Sequence, residues 1–134
     1  MEERDDTGAK VLVVDDDPKI RQLLQRILTF EGFLVQTADG PADAAEILRT
    51  AMFQAVVLDV RMPDPSGGQG TGIDVLTFMR SHERFRSIPV LILTGGLLTE
   101  AEEQTILDLQ AYVLNKAEGH RPLVEYLKHL TSKG

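Results

Sequence analysis

The sequence predicts a doubly wound α/β fold, a parallel sheet with helices on both faces, and three observations lead there. Short runs of Val, Leu and Ile, unbroken by polar residues, recur along the chain. Between them the apolar period lengthens to that of a helix. The two patterns alternate, strand then helix, from end to end, which is the signature of parallel strands joined by helical crossovers. Strands that apolar need cover on both sides.

Val11-Leu12-Val13-Val14 is the first strand and stops at Asp15-Asp16-Asp17-Pro18. Ile20, Leu23, Leu24, Ile27 and Leu28 then form one stripe of an amphipathic helix. Asp17 is its expected N-cap, Pro18 sits in its first turn, and Gly32 is its stop. Phe33 to Thr37 reads as the second strand. Asp39-Gly40-Pro41 turns into a second helix with Ala44, Ala45, Ile47, Leu48 and Ala51 on its apolar side. Ala55 to Leu58 is a third buried strand and ends on Asp59. Pro, Gly and Ser crowd residues 63–72, which read as a loop; Ile73, Leu76 and Met79 or Arg80 mark the third helix. Pro89 to Leu93 is the fourth strand, ending at Thr94-Gly95-Gly96. Thr99 and Glu102 form a capping-box pattern for a fourth helix. Tyr112-Val113-Leu114 is a short fifth strand, and Pro122 to Leu130 a last helix with Leu123, Leu127 and Leu130 inward.

A chain of 134 residues suits one domain, and 43% hydrophobic with 26% charged residues is a globular balance. Twenty-one acidic against fourteen basic residues leave a net charge of -7. That sign argues against direct nucleic-acid binding and against an anionic membrane surface. With no cysteine there are no disulfides, zinc–thiolate sites or thiol nucleophiles. No apolar run approaches a membrane span, and Met1 to Lys10 lacks the apolar stretch of a secretory signal. The expectation is a cytoplasmic domain over residues 10–131, preceded by a tail over 1–9.

Polar chemistry collects at strand ends. The first strand ends in Asp15-Asp16-Asp17, the third in Asp59, the fourth in Thr94 and the fifth in Asn115-Lys116. In an open α/β sheet these carboxyl ends share one edge, where ligands bind. Carboxylates gathered there repel, by roughly 4 kcal/mol per pair at ~4 Å and an effective dielectric near 20. Either some stay protonated or a cation sits among them. Oxygen ligands without cysteine or a nearby histidine point to Mg²⁺. Singly, each residue has a plain explanation: Asp17 as a cap, Asp59 as a loop acid, Thr94 as a strand-end hydroxyl, Lys116 as a surface lysine. Their combination at one edge is what points to a site.

These residues resemble the receiver domain of two-component response regulators, over Lys10 to about Leu130. Val11 to Asp17 is similar to the family's first strand and acidic pair. Val56-Val57-Leu58-Asp59-Val60-Arg61-Met62-Pro63 resembles its phosphoacceptor strand, Leu91-Ile92-Leu93-Thr94 its switch-threonine strand, and Lys116 its lysine. The resemblance implies a flavodoxin-like sheet of order 2-1-3-4-5. It implies a phosphoryl group carried on Asp59, taken from a histidine kinase, a phosphotransfer protein or a small acyl phosphate. Asp16, Asp59 and the backbone carbonyl of Arg61 would hold Mg²⁺, with Asp15 acting through water. Thr94 and Lys116 would contact phosphoryl oxygens, Gly95 and Arg61 would control access, and an unidentified downstream protein would receive the signal.

Departures from the family accompany it. Asp64 to Thr71 stands where the family usually has three residues before the glycine, making an inserted Gly-rich loop over 64–72. Ala117 replaces the proline that normally follows the lysine in a cis peptide, and Leu109-Gln110 replaces a Gly-Ala pair. The switch aromatic normally lies three before the lysine, at Val113, with Tyr112 one further back. Two other readings compete. A haloacid-dehalogenase type of phosphatase needs an acid where Arg61 stands and a cap the chain has no room for. A pseudo-receiver would dock proteins without being phosphorylated. On the receiver reading the chain is no enzyme beyond its own phosphorylation and dephosphorylation, and stands alone or comes from a longer protein.

Overall fold

The computed structural model describes residues 8–60, 72–96 and 98–132. Strands β1 (Lys10–Val14), β2 (Leu34–Ala38), β3 (Ala55–Asp59), β4 (Val90–Thr94) and β5 (Tyr112–Asn115) alternate with helices α1 (Pro18–Phe30), α2 (Pro41–Thr50), α3 (Gly72–Arg80), α4 (Glu100–Asp108) and α5 (Arg121–Thr131). The strands pair in parallel in the order β2-β1-β3-β4-β5. After β2 the chain crosses back over β1 to place β3, so strand order reverses between β1 and β3. The carboxyl ends of those two strands carry Asp15 and Asp59, at the switch point where this architecture opens a crevice.

Alternation along the central strands divides the core into two layers. Leu12, Val14, Val56, Leu58, Val90 and Ile92 face α2, α3 and α4, where Ala44, Leu48, Val75, Leu76, Met79 and Ile106 meet them. Val11, Val13, Ala55, Val57, Leu91 and Leu93 face α1 and α5, against Leu24, Leu28, Leu123, Val124 and Leu127. Burial on both faces holds for β1, β3 and β4 but not for the edges. On β2, Leu34 is exposed, and on β5 Tyr112 and Val113 are 40% and 43% exposed.

Element boundaries differ from the sequence reading where backbone bonds decide them. Gly32 takes φ +99°, its N–H donates to Thr29 O, and the N–H of Phe33 donates to Leu28 O. Phe33 therefore closes α1, in the manner of a Schellman turn, and β2 starts one residue later. Pro89 has no N–H to give a ladder, though its carbonyl accepts from Val56 N, and β4 begins at Val90. The Thr99–Glu102 capping box is present in both directions, and Asp17 caps α1 by accepting from Lys19 N. Ala9 is buried, its carbonyl accepts from Leu34 N, and the N–H of Gly8 donates to Gly32 O.

Candidate functional site

At the carboxyl edge Asp15, Asp16 and Asp59 each bring a carboxylate oxygen within 4.8 Å of the others. Asp15 and Asp59 are buried and Asp16 is exposed. Asp15 is the most constrained. Its N–H donates to Ala38 O at 3.1 Å, and its Oδ1 accepts from Asp17 N at 2.9 Å. Its Oδ2 is buried without a hydrogen-bond partner. Burial pushes the Asp15 carboxyl above its ordinary range, and the charges of Asp59 and Asp16 push the same way; the Asp17 N–H and Lys116 offset part of this.

Lys116 enters the cluster from the end of β5. Its Nζ lies 3.2 Å from Asp59 Oδ1 and 3.8 Å from Asp15 Oδ2. One ammonium among three carboxylates leaves the cluster net negative. A buried carboxylate oxygen without a donor, beside two more carboxylates and no nitrogen or sulfur ligand, is the donor set of a hard divalent cation. Mg²⁺ fits it.

The buried Thr94 lies at the same edge, paired in register with Asn115. Its hydroxyl donates to Gly96 O at 3.0 Å and accepts from Gly96 N at 3.3 Å, so it is engaged with its own loop. A Cβ at Gly95 would lie 3.6 Å from Lys116 Cδ, an ordinary contact, so only bulk beyond Cβ would press on that lysine. Arg61 and the inserted segment 64–71 lie outside the described residues.

The family described as response regulator receiver domain matches residues 11–128. The chain belongs to that family. The receiver is 33% identical over 124 residues to transcriptional regulatory protein GltR of Pseudomonas aeruginosa, covering 92% of this chain and 49% of that one. It is 36% identical over 111 residues to the probable transcriptional regulatory protein TcrX of Mycobacterium tuberculosis, covering 83% and 43%. The chain thus spans less than half the length of these two relatives. Among solved structures, chemotaxis protein CheY4 of Vibrio cholerae superposes with a TM-score of 0.79 at 28% identity, covering 91% of this chain and 98% of that one. Response regulator TrrA of Thermotoga maritima, solved in complex with Mg²⁺-BeF, does so at 0.77 and 27% identity, with the same coverage.

Two features of this receiver were missed or left open by sequence reasoning. The first is why Gly72 is a glycine. Its N–H donates to Val60 O at 3.2 Å, and a Cβ there would collide with the Asp59 carbonyl oxygen and lie 3.1 Å and 3.2 Å from Asp59 C and Val60 Cα. The start of α3 is thus pressed against the backbone that carries Asp59. The second is the aromatic residue of β5. Leu114 packs into the α1–α5 layer, so by the pleat Tyr112 shares that side and Val113 takes the other. The Tyr112 ring meets Tyr126 of α5, with centroids 5.2 Å apart. Val113, three before the lysine, carries no ring. Beyond it, Asn115 Oδ1 accepts from Ala117 N at 2.8 Å and starts a 3-10 turn over Lys116–Glu118. Among the described residues no peptide bond is cis.

Proposed function

We propose that the receiver, spanning residues 10–131, accepts a phosphoryl group on Asp59 in a two-component phosphorelay and passes the signal to a protein partner by a change of conformation. The observation that carries this reading is the 3.2 Å contact of Lys116 Nζ with Asp59 Oδ1 inside a three-carboxylate cluster. Phosphoryl transfer asks for charge neutralisation and positioning more than for proton transfer. This edge supplies a nucleophilic carboxylate, an ammonium beside it and a cation site.

Asp16 and Asp59, the Arg61 carbonyl and Asp15, the last through water, are the groups to hold Mg²⁺. When bound, the ion neutralises charge on the phosphoryl oxygens. In the transfer an Asp59 oxygen forms the new O–P bond while the P–N bond of a phosphohistidine breaks, the imidazole leaving with the electron pair and taking a proton. With an acyl phosphate the P–O bond breaks and the carboxylate leaves. Lys116, 3.2 Å from Asp59 Oδ1, is the residue to follow that carboxyl as it becomes an acyl phosphate. Thr94 has to release Gly96 O, the acceptor of its one O–H, before that hydroxyl donates to a phosphoryl oxygen. The donors on this reading are a histidine kinase or a phosphotransfer protein in the cytoplasm, with a small acyl phosphate as a substitute.

Incubation with acetyl phosphate and Mg²⁺, followed by intact-mass spectrometry, tests the reading. Wild-type protein gains one phosphoryl group, lost on alkaline treatment, whereas Asp59→Asn or EDTA abolishes the gain. Uptake by the Asp59→Asn protein, or no uptake by the wild type from acetyl phosphate and from a phosphohistidine donor alike, overturns it.

A further inference from the structure

We infer that Arg21 is a positioning residue for the metal corner, holding the Asp15–Asp16 peptide so that Asp16 faces Asp15 and Asp59; this rests on reading that corner as a Mg²⁺ site. Arg21 lies in the first turns of α1, its N–H bonded to Asp17 O at 3.0 Å. Its half-buried side chain turns back, and Nη1 donates to the Asp15 carbonyl at 2.7 Å. Among the described residues it forms no ion pair, although three carboxylates gather at the same corner. The guanidinium is committed to a neutral carbonyl, which leaves the carboxylate oxygens to a cation.

Asp16 is the member of the cluster that needs this help. Asp15 is anchored by Ala38 O and by Asp17 N, and Asp59 is seated at the end of a fully buried strand. The Asp16 carboxylate is exposed, and only the path of its backbone brings it into the cluster. The Asp15 carbonyl and the Asp16 N–H belong to one planar unit. Fixing the direction of that carbonyl therefore fixes where the Asp16 Cα sits, the point from which its side chain leaves the chain.

Charge and positioning predict opposite signs. As a bare positive charge near a cation site, Arg21 weakens Mg²⁺ binding, and its removal would tighten it. As a positioning residue it strengthens binding, and its removal weakens it. The experiment is Mg²⁺ titration of the unphosphorylated protein by calorimetry and NMR, on wild type, Arg21→Met, Arg21→Gln and Arg21→Lys, each well below its own melting temperature. Arg26→Met, which removes an exposed charge from the same helix, is the control. We expect Kd to rise about tenfold in Arg21→Met and Arg21→Gln, the scale of losing a group that orients a metal ligand. Arg21→Lys recovers part of the loss and Arg26→Met binds as wild type. Unchanged or tighter binding in the Met and Gln variants overturns the inference while leaving the site reading intact, even if their melting temperatures fall. Wild-type protein that binds no Mg²⁺ overturns both.

Discussion

The two ends of the sheet treat a buried charge in opposite ways. At the carboxyl end Asp15 is buried with one oxygen lacking a hydrogen bond, 3.8 Å from Lys116 Nζ, and its carboxyl pushed up. At the amino end Arg80, the last residue of α3, is half-buried among backbone. Its Nε donates to Leu109 O at 2.7 Å and its Nη1 to Ile88 O at 2.9 Å. These bonds tie the ends of α3 and α4 to the approach to β4. Burial lowers the Arg80 pKa from its very high ordinary value, and the group stays charged. A buried charge whose donors meet fixed carbonyls holds structure together. A buried charge with spare acceptor capacity has room for a ligand.

The sharpest way to break this contrast is at the seam between structure and site. Gly72→Ala drives a methyl into the Asp59 carbonyl, and overpacking of that kind costs up to about 3 kcal/mol. Urea denaturation should show the loss, together with weakened Mg²⁺ binding, because the strand end that carries Asp59 must move. Arg80→Met comes next. It strands two carbonyls and should cost about 2 kcal/mol in the same assay, while Mg²⁺ affinity stays at the wild-type value. A fall in Mg²⁺ affinity there would erase the distinction between the two ends. The smallest effect carries the opposite sign. Because the folded-state pKa of Asp15 is raised, its ionised form is penalised in the metal-free fold at neutral pH. That penalty disappears as pH falls through the raised pKa. Asp15→Asn should therefore stabilise the metal-free protein by about 1 kcal/mol at pH 7, roughly 4 °C in Tm, with the gain closing in acid. With Mg²⁺ present the wild type should gain stability and the variant should not. Destabilisation by Asp15→Asn at neutral pH without metal would show that Asp15 works as Arg80 does.

What the sequence could and could not disclose follows the range of the interactions involved. Strands β1, β3 and β4 were legible because unbroken Val, Leu and Ile runs have few other destinations. Asp17 and Thr99 were legible as caps because capping acts over two or three residues. The gathering of Asp15, Asp16, Asp59 and Lys116 followed from their place at strand ends. Interactions that span the fold were illegible. Arg80 read as an alternative to Met79 on an apolar stripe, since its carbonyl partner at Leu109 is 29 residues away. Arg21 carries no signal in the sequence, because a bond to a main-chain carbonyl leaves no mark on residue type. Whether Tyr112 or Val113 faced α4 turned on a register of one residue, which periodicity in a four-residue strand does not settle.

The Tyr112–Tyr126 contact makes this protein its own optical reporter. The chain has two tyrosines and no tryptophan, so the pair accounts for all its tyrosine emission. The rings meet where β5 packs on α5, Tyr112 on the strand that leads to Lys116 and Tyr126 on the helix. Tyrosine lifetime, quenching and near-ultraviolet dichroism therefore read the spacing of one strand and one helix, with no label attached and no other tyrosine to subtract.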